Sequence, residues 1–103
     1  GICGKEYAVS FLTAAHIKKR ARCSLEEKKD YRNIVMPMCK FGCDELYENG
    51  YIGVQEGVVS VLKLYKNTHA VVEYLNAIEN RTCQYWNSET KKYFDWHIDQ
   101  HRQ

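Results

Sequence analysis

A chain of 103 residues, 45% apolar and 27% charged, suffices for one compact domain and is too short for two. No apolar run is long enough for a membrane span, and no basic stretch precedes an apolar one at the N-terminus, so neither a span nor a secretion signal is expected. The net charge of +2 by itself says nothing about partners, although Lys18, Lys19, Arg20 and Arg22 concentrate basic charge in one short stretch.

Residues 7–14, Tyr-Ala-Val-Ser-Phe-Leu-Thr-Ala, are rich in β-formers and predict a strand, with His16 and Ile17 at its end. Residues 18–32 are polar and predict a loop. Within it, Ser24 and Glu27 have the spacing of a capping box and predict a short helical turn. Residues 34–38 are apolar and predict a second strand, where Pro37 requires an edge position or the strand's end. Phe41, Leu46 and Tyr47 predict one short helix over 39–49, stopped by Asn49-Gly50.

A hairpin follows, with strands over 51–54 and 58–64 around a loop of three residues, Gln55-Glu56-Gly57. Thr68 is placed to cap a helix over 69–80, with Val71, Val72, Leu75 and Ile78 on its inner face. Ser88 is placed to cap a last helix through His101, whose apolar body is Tyr93, Phe94, Trp96, His97 and Ile98. The order is that of a single α+β domain over 1–103, with the chemistry concentrated in the first half, about 7–50.

The five cysteines are an odd count. Without a secretion signal they read as reduced thiols or metal ligands, not as a disulfide frame, and the expected location is cytoplasmic. Cys39 and Cys43 have a loose metal spacing, for which buried reduced thiols are the alternative. Cys83 lies far along the chain and is expected to be a core thiol. Ile2-Cys3-Gly4 looks like the second half of a Cys-x-x-Cys-Gly knuckle, so the chain is expected to be a piece of a larger protein.

Three features carry chemistry in order: Ala14-Ala15-His16-Ile17, Asn33, and Met38-Cys39-Lys-Phe-Gly-Cys43-Asp44 leading into Glu-Leu46-Tyr47-Glu-Asn-Gly50-Tyr-Ile52. This set resembles the HNH nuclease family, in the subgroup whose first motif is Ala-Ala-His-Ile. The closing Tyr93-Phe94-Asp95-Trp96-His97 is similar to that family's tail. The resemblance touches nearly the whole chain and is strongest over 12–52.

The resemblance implies a ββα-metal (His-Me finger) core, with the hairpin and C-terminal helices added. It implies a metal-dependent DNA endonuclease, of the kind found in restriction and anti-phage defence. His16 is then the general base, Asn33 the middle residue of the trio, and Asp44 stands where the family has its third His. Asp44 and Asn33 are the implied ligands of Mg²⁺ or Mn²⁺. A structural Zn²⁺ is implied at Cys39, Cys43 and Cys3, with Cys23 or an upstream residue as the fourth ligand. Double-stranded DNA is the implied partner, held by its phosphates on Lys18, Lys19, Arg20 and Arg22. A homodimer and a separate recognition or sensor domain are implied as well.

General chemistry points the same way. An imidazole titrates close to neutrality and can take a proton from water, and carboxylates suit hard divalent ions. Two departures stand against it. Ala15 occupies a position where family members often carry a metal ligand, and the cysteine spacing is one residue too long. The alternative is a DNA-binding or protein-interaction module on the same scaffold with a degraded site. Of the other candidates, His97 is expected in the core and His69 and His101 on the surface. Tyr85 and Trp86 are expected to pack rather than to stack on bases.

Overall fold

A computed structural model describes residues 2–63 and 68–101. Strand β1 (Leu12–His16) pairs antiparallel with β2 (Val35–Cys39), Leu12 opposite Cys39 and His16 opposite Val35. The bonds from Lys40 N–H to Phe11 O (2.9 Å) and from Ile17 N–H to Ile34 O (2.7 Å) flank this ladder and fix its phase. Leu12–Cys39, Ala14–Pro37 and His16–Val35 are therefore the pairs whose backbone groups point outward. Pro37 thus sits inside β2 on an outer edge, where its missing N–H costs no ladder bond.

Alternation along the strands sends Ala15, Ile17, Met36 and Met38 into the core. It turns His16 and Cys39 to the opposite face, at opposite ends of the pair. The first strand starts later than residue 7. Val9–Phe11 forms a 3-10 turn with exposed Val9 and Phe11 side chains, and only Phe11 O reaches the second strand's continuation, accepting from Lys40 N–H.

The predicted loop is partly helical, with α1 (Leu25–Lys29) and α2 (Tyr31–Ile34). The capping box forms as expected. Ser24 Oγ accepts from Glu27 N–H at 3.1 Å, and Glu27 Oε1 accepts from Ser24 N–H at 2.9 Å. Helix α3 (Cys43–Glu48) follows β2. It is tied to the end of β1 by Tyr47, whose hydroxyl donates to Ile17 O at 2.8 Å.

Strands β3 (Ile52–Gln55) and β4 (Val58–Val61) form the expected hairpin. Its turn has two residues and not three, because Glu56 (φ +49°) and Gly57 (φ +85°) both take positive φ, as a type I′ turn requires. The predicted end of the second strand, Leu64, lies outside the described residues.

Helix α4 (His69–Ile78) is rotated from its predicted face. Leu75 and Ile78 are buried, Val71 and Tyr74 pack against the core, and Val72 is exposed. Thr68 precedes the helix with its backbone carbonyl accepting from Val71 and Val72, and its hydroxyl makes no cap bond.

Helix α5 (Lys91–His101) is started by Asn87 and Thr90 rather than by Ser88. Asn87 Oδ1 accepts from Glu89 N–H (2.8 Å) and Thr90 N–H (3.0 Å), while Thr90 Oγ1 accepts from Asn87 N–H (2.9 Å). The amide side chain reaches two orphan donors where the Ser88 hydroxyl reaches none. Tyr93, Phe94, His97 and Ile98 of α5 are buried, and the helix packs on β3.

The result is a small α+β domain with two antiparallel sheets of two strands each. No helix among the described residues is long and apolar enough to cross a membrane.

Candidate functional site

His16 is the last residue of β1 and is half-buried. Its Nδ1 is shut away from solvent and has no hydrogen-bond partner among the described residues. Such a nitrogen forgoes about 1–3 kcal/mol, which any water, proton donor or cation reaching it would restore. Ala15 faces the core and not the side that His16 faces, so a ligand at this position would not share a face with the imidazole.

Asn33 lies in α2, two residues before the Val35 that pairs with His16. Its Nδ2 donates to Asp30 Oδ1 at 2.9 Å, and Tyr93 Oη donates to Asp30 Oδ2 at 2.6 Å. Tyr93 first and Asn33 next hold the Asp30 carboxyl below the usual range. The Asn33 amide is thus engaged with the residue that opens its own helix, and its Nδ2 is not turned to a metal.

Asp44 stands in the first turn of α3, one turn before Tyr47, and is half-buried. It has no ion pair or side-chain hydrogen bond among the described residues. Burial, then Glu48 and Glu45, push its carboxyl up. Among the described residues no other His, Cys, Asp or Glu is grouped with Asp44 as a metal ligand; the metal-competent group lies at the cysteines.

The basic stretch divides. Lys19, Arg20 and Arg22 are exposed. Lys18 is not available to a phosphate. Its Nζ lies 2.9 Å from both oxygens of Glu27 and 5.3 Å from the centre of the Trp96 ring. The carboxylate that caps α1 also holds this lysine. The Ser24 N–H first and Lys18 second keep Glu27 below its usual range.

The cysteines gather at the other end of the β1–β2 pair. The sulfurs of Cys3, Cys39 and Cys43 lie within 4.8 Å of one another, a group that could hold a metal ion. Cys23 is not part of it. Its thiol donates to the carbonyls of Lys18 (3.6 Å) and Lys19 (3.4 Å), so the loop it sits in keeps it away from the others. Gly4 follows Cys3 with φ +70°, a left-handed conformation that favours glycine at this turn.

The Tyr74 hydroxyl from α4 hydrogen-bonds two of these sulfurs, 3.3 Å from that of Cys39 and 2.9 Å from that of Cys43. A Cβ on Gly42 would approach the Tyr74 ring to 2.7 Å, so this glycine makes room for the phenol. Burial opposes a Cys39 thiolate, but hydrogen bonds from Tyr74 and from the N–H groups of Cys43 and Phe41 outweigh it and lower this thiol. Burial raises its partner Cys43.

Reading α4 through Val71, Val72, Leu75 and Ile78 hides Tyr74. The spacing 71, 74, 75, 78 is the better helical face and would have turned it inward.

The remaining candidates fall mostly as expected. Cys83 is a buried thiol, and Tyr85 and Trp86 pack against the core. His97 Nε2 meets Ile52 O at 2.9 Å and its ring stacks on Tyr47 with centroids 3.7 Å apart. Burial carries its pKa down to about 4. His69 is exposed, while His101 is half-buried against the His97 ring. No protein-family model matches the chain, and no curated protein matches it.

Proposed function

We propose that this chain is a metal-dependent phosphodiesterase of the ββα type that cuts DNA, with His16 as its general base. The observation that carries this reading is the buried, unpartnered Nδ1 of His16 at the end of a strand. The strand–strand–helix order of β1, β2 and α3 supports it, with Asn33 holding the loop between the strands and Asp44 opening the helix.

With its proton on Nε2, His16 keeps an unshared Nδ1 lone pair, which would take up a water when the substrate opens its surroundings. Nδ1 takes the water's proton as the oxygen attacks phosphorus. The bond from phosphorus to the departing sugar oxygen breaks, that oxygen takes a proton from solvent, and the imidazolium returns its own to solvent. Asp44 would hold Mg²⁺ or Mn²⁺, which when bound supplies charge relief at the phosphate and the leaving oxygen. Lys19, Arg20 and Arg22 hold the DNA backbone without reading its sequence.

The test is plasmid nicking by the purified chain with Mg²⁺ or Mn²⁺, beside His16→Ala and an EDTA control. Cleavage that falls roughly 10²–10⁴-fold in the variant supports the assignment. Metal-dependent cleavage unchanged in the variant overturns it. A second reading is a DNA-binding or interaction module with a degraded site. It is favoured by Asn33, already spent on Asp30, and by Ala15, which offers no ligand. It predicts DNA binding without cleavage in either ion.

A further inference from the structure

The thiols stand apart from His16. Cys39 and the Val35 opposite His16 are the two ends of β2, about 13 Å apart at the rise of a strand. What occurs at this end does not depend on the nuclease reading.

The three thiols here are free and are not equivalent. Cys43 is fully buried at the start of α3, with its sulfur 2.9 Å from the Tyr74 hydroxyl. Cys3 is half-buried. Together with Cys39 it lines an open pocket of about 340 Å³, walled also by Leu12, Pro37 and Tyr85. Cys43 is not among the walls of that pocket. A small solute can therefore meet Cys3 and Cys39 and not Cys43.

We propose that Cys3 and Cys39 form a peroxide-sensitive thiol pair, which oxidation joins in a reversible disulfide. Their sulfurs lie 4.0 Å apart, although 36 positions separate the residues in sequence. A disulfide needs about 2.0 Å between sulfurs, so roughly 2 Å must be closed. Cys3 can supply that movement, because it lies outside every helix and strand and is followed by the Gly4 turn. Ile2 before it is buried in the core, which keeps the thiol beside its partner.

The oxidant is hydrogen peroxide. Cys3, the more exposed sulfur, attacks one peroxide oxygen as its thiolate. The O–O bond breaks, Cys3 becomes a sulfenic acid, and the departing hydroxide takes up the thiol's proton and leaves as water. The Cys39 sulfur then attacks the sulfenic sulfur. The S–S bond forms, the S–O bond breaks, and the oxygen leaves as water with the Cys39 proton. Together the pair gives up two electrons, and the peroxide is reduced to water. A dithiol reductant returns both thiols by exchange.

The bond would close a loop that contains β1, α1, α2 and β2, and with them His16 and Asn33. Such a cross-link restricts the unfolded chain more than the folded one and so stabilises this half of the domain.

The test treats the purified chain with hydrogen peroxide in the presence of EDTA, so that no bound metal shields a thiol. Trypsin cleavage after Lys5, Arg32 and Lys40 places Cys3, Cys39 and Cys43 on three different peptides, and mass spectrometry without reduction maps the link. A Cys3–Cys39 link that dithiothreitol removes supports the site. A link from Cys39 to Cys43, links only between chains, or thiols that stay reduced overturn it. In Cys39→Ser a sulfenic-acid probe should label Cys3, and labelling elsewhere in its place overturns the order of attack. Oxidation of the wild type should raise the melting temperature by at least about 5 °C, a rise that Cys3→Ser lacks. The mapping needs only the wild type, so it decides the pair even where a variant fails to fold.

Discussion

The β1–β2 and β3–β4 pairs are both antiparallel and of nearly equal length, and each packs against a helix, α3 on β2 and α5 on β3. They differ in what sits at their ends. The first pair has His16 with an orphaned nitrogen at one end and three thiols at the other. The second is closed by a tight turn and backed by apolar side chains; the buried histidine on it, His97, is tied through Nε2 to Ile52 O, and the buried Nε1 of Trp86, beside the turn, has no partner among the described residues. Polar groups left unsatisfied cost stability and are kept where they serve a ligand, whereas satisfied ones serve packing. The first pair therefore gathers titratable groups at its two ends, while the second is mostly packing.

Substitutions and pH can break that contrast. The largest effect is expected in the supporting half. Phe94→Ala should cost about 3–5 kcal/mol, since the ring is fully buried, and chemical denaturation would measure it. Acid should act nearly as strongly and through His97. Its folded pKa, about 4, lies below the ordinary histidine value, so the unfolded chain binds the extra proton first. Stability is then full above about pH 6.5 and falls by on the order of 3 kcal/mol as pH drops toward 4, and His97→Gln should flatten that slope.

Smaller effects sharpen the comparison. Tyr47→Phe removes the donor from Ile17 O and should cost about 1–3 kcal/mol by denaturant titration. Ser24→Ala, which removes half of the capping box, should cost about 1 kcal/mol. His16→Ala should change stability least, by about 0.5 kcal/mol or less, because its Nδ1 makes no bond to lose. A large loss in His16→Ala would mean that this histidine is structural after all.

Local pattern and tertiary contact were unequally legible. The capping box, the hairpin and the helix after β2 depend on residues a few positions apart, and all three were readable. His16 at a strand end was readable for the same reason. The bond from Tyr93 to Asp30 spans 63 positions, and that from Tyr74 to Cys43 spans 31. No local periodicity encodes such pairings. Lys18 shows the same limit. Its neighbours in sequence suggest a phosphate-binding loop, while Glu27 and Trp96 claim it. Cys23 misled because spacing along the chain says nothing of which way a thiol turns.

Pro37 has one more consequence. The outward donors of β2 are those of Val35, Pro37 and Cys39, and proline removes the middle one. A foreign strand laid along that side would miss its central bond, so β2 resists self-assembly into longer sheets. On the outer side of β1 the Leu12 donor is taken by Val9 O, and those of Ala14 and His16 remain as neighbours along the edge. Only along β1 would an extended peptide find two consecutive outward donors, those of Ala14 and His16.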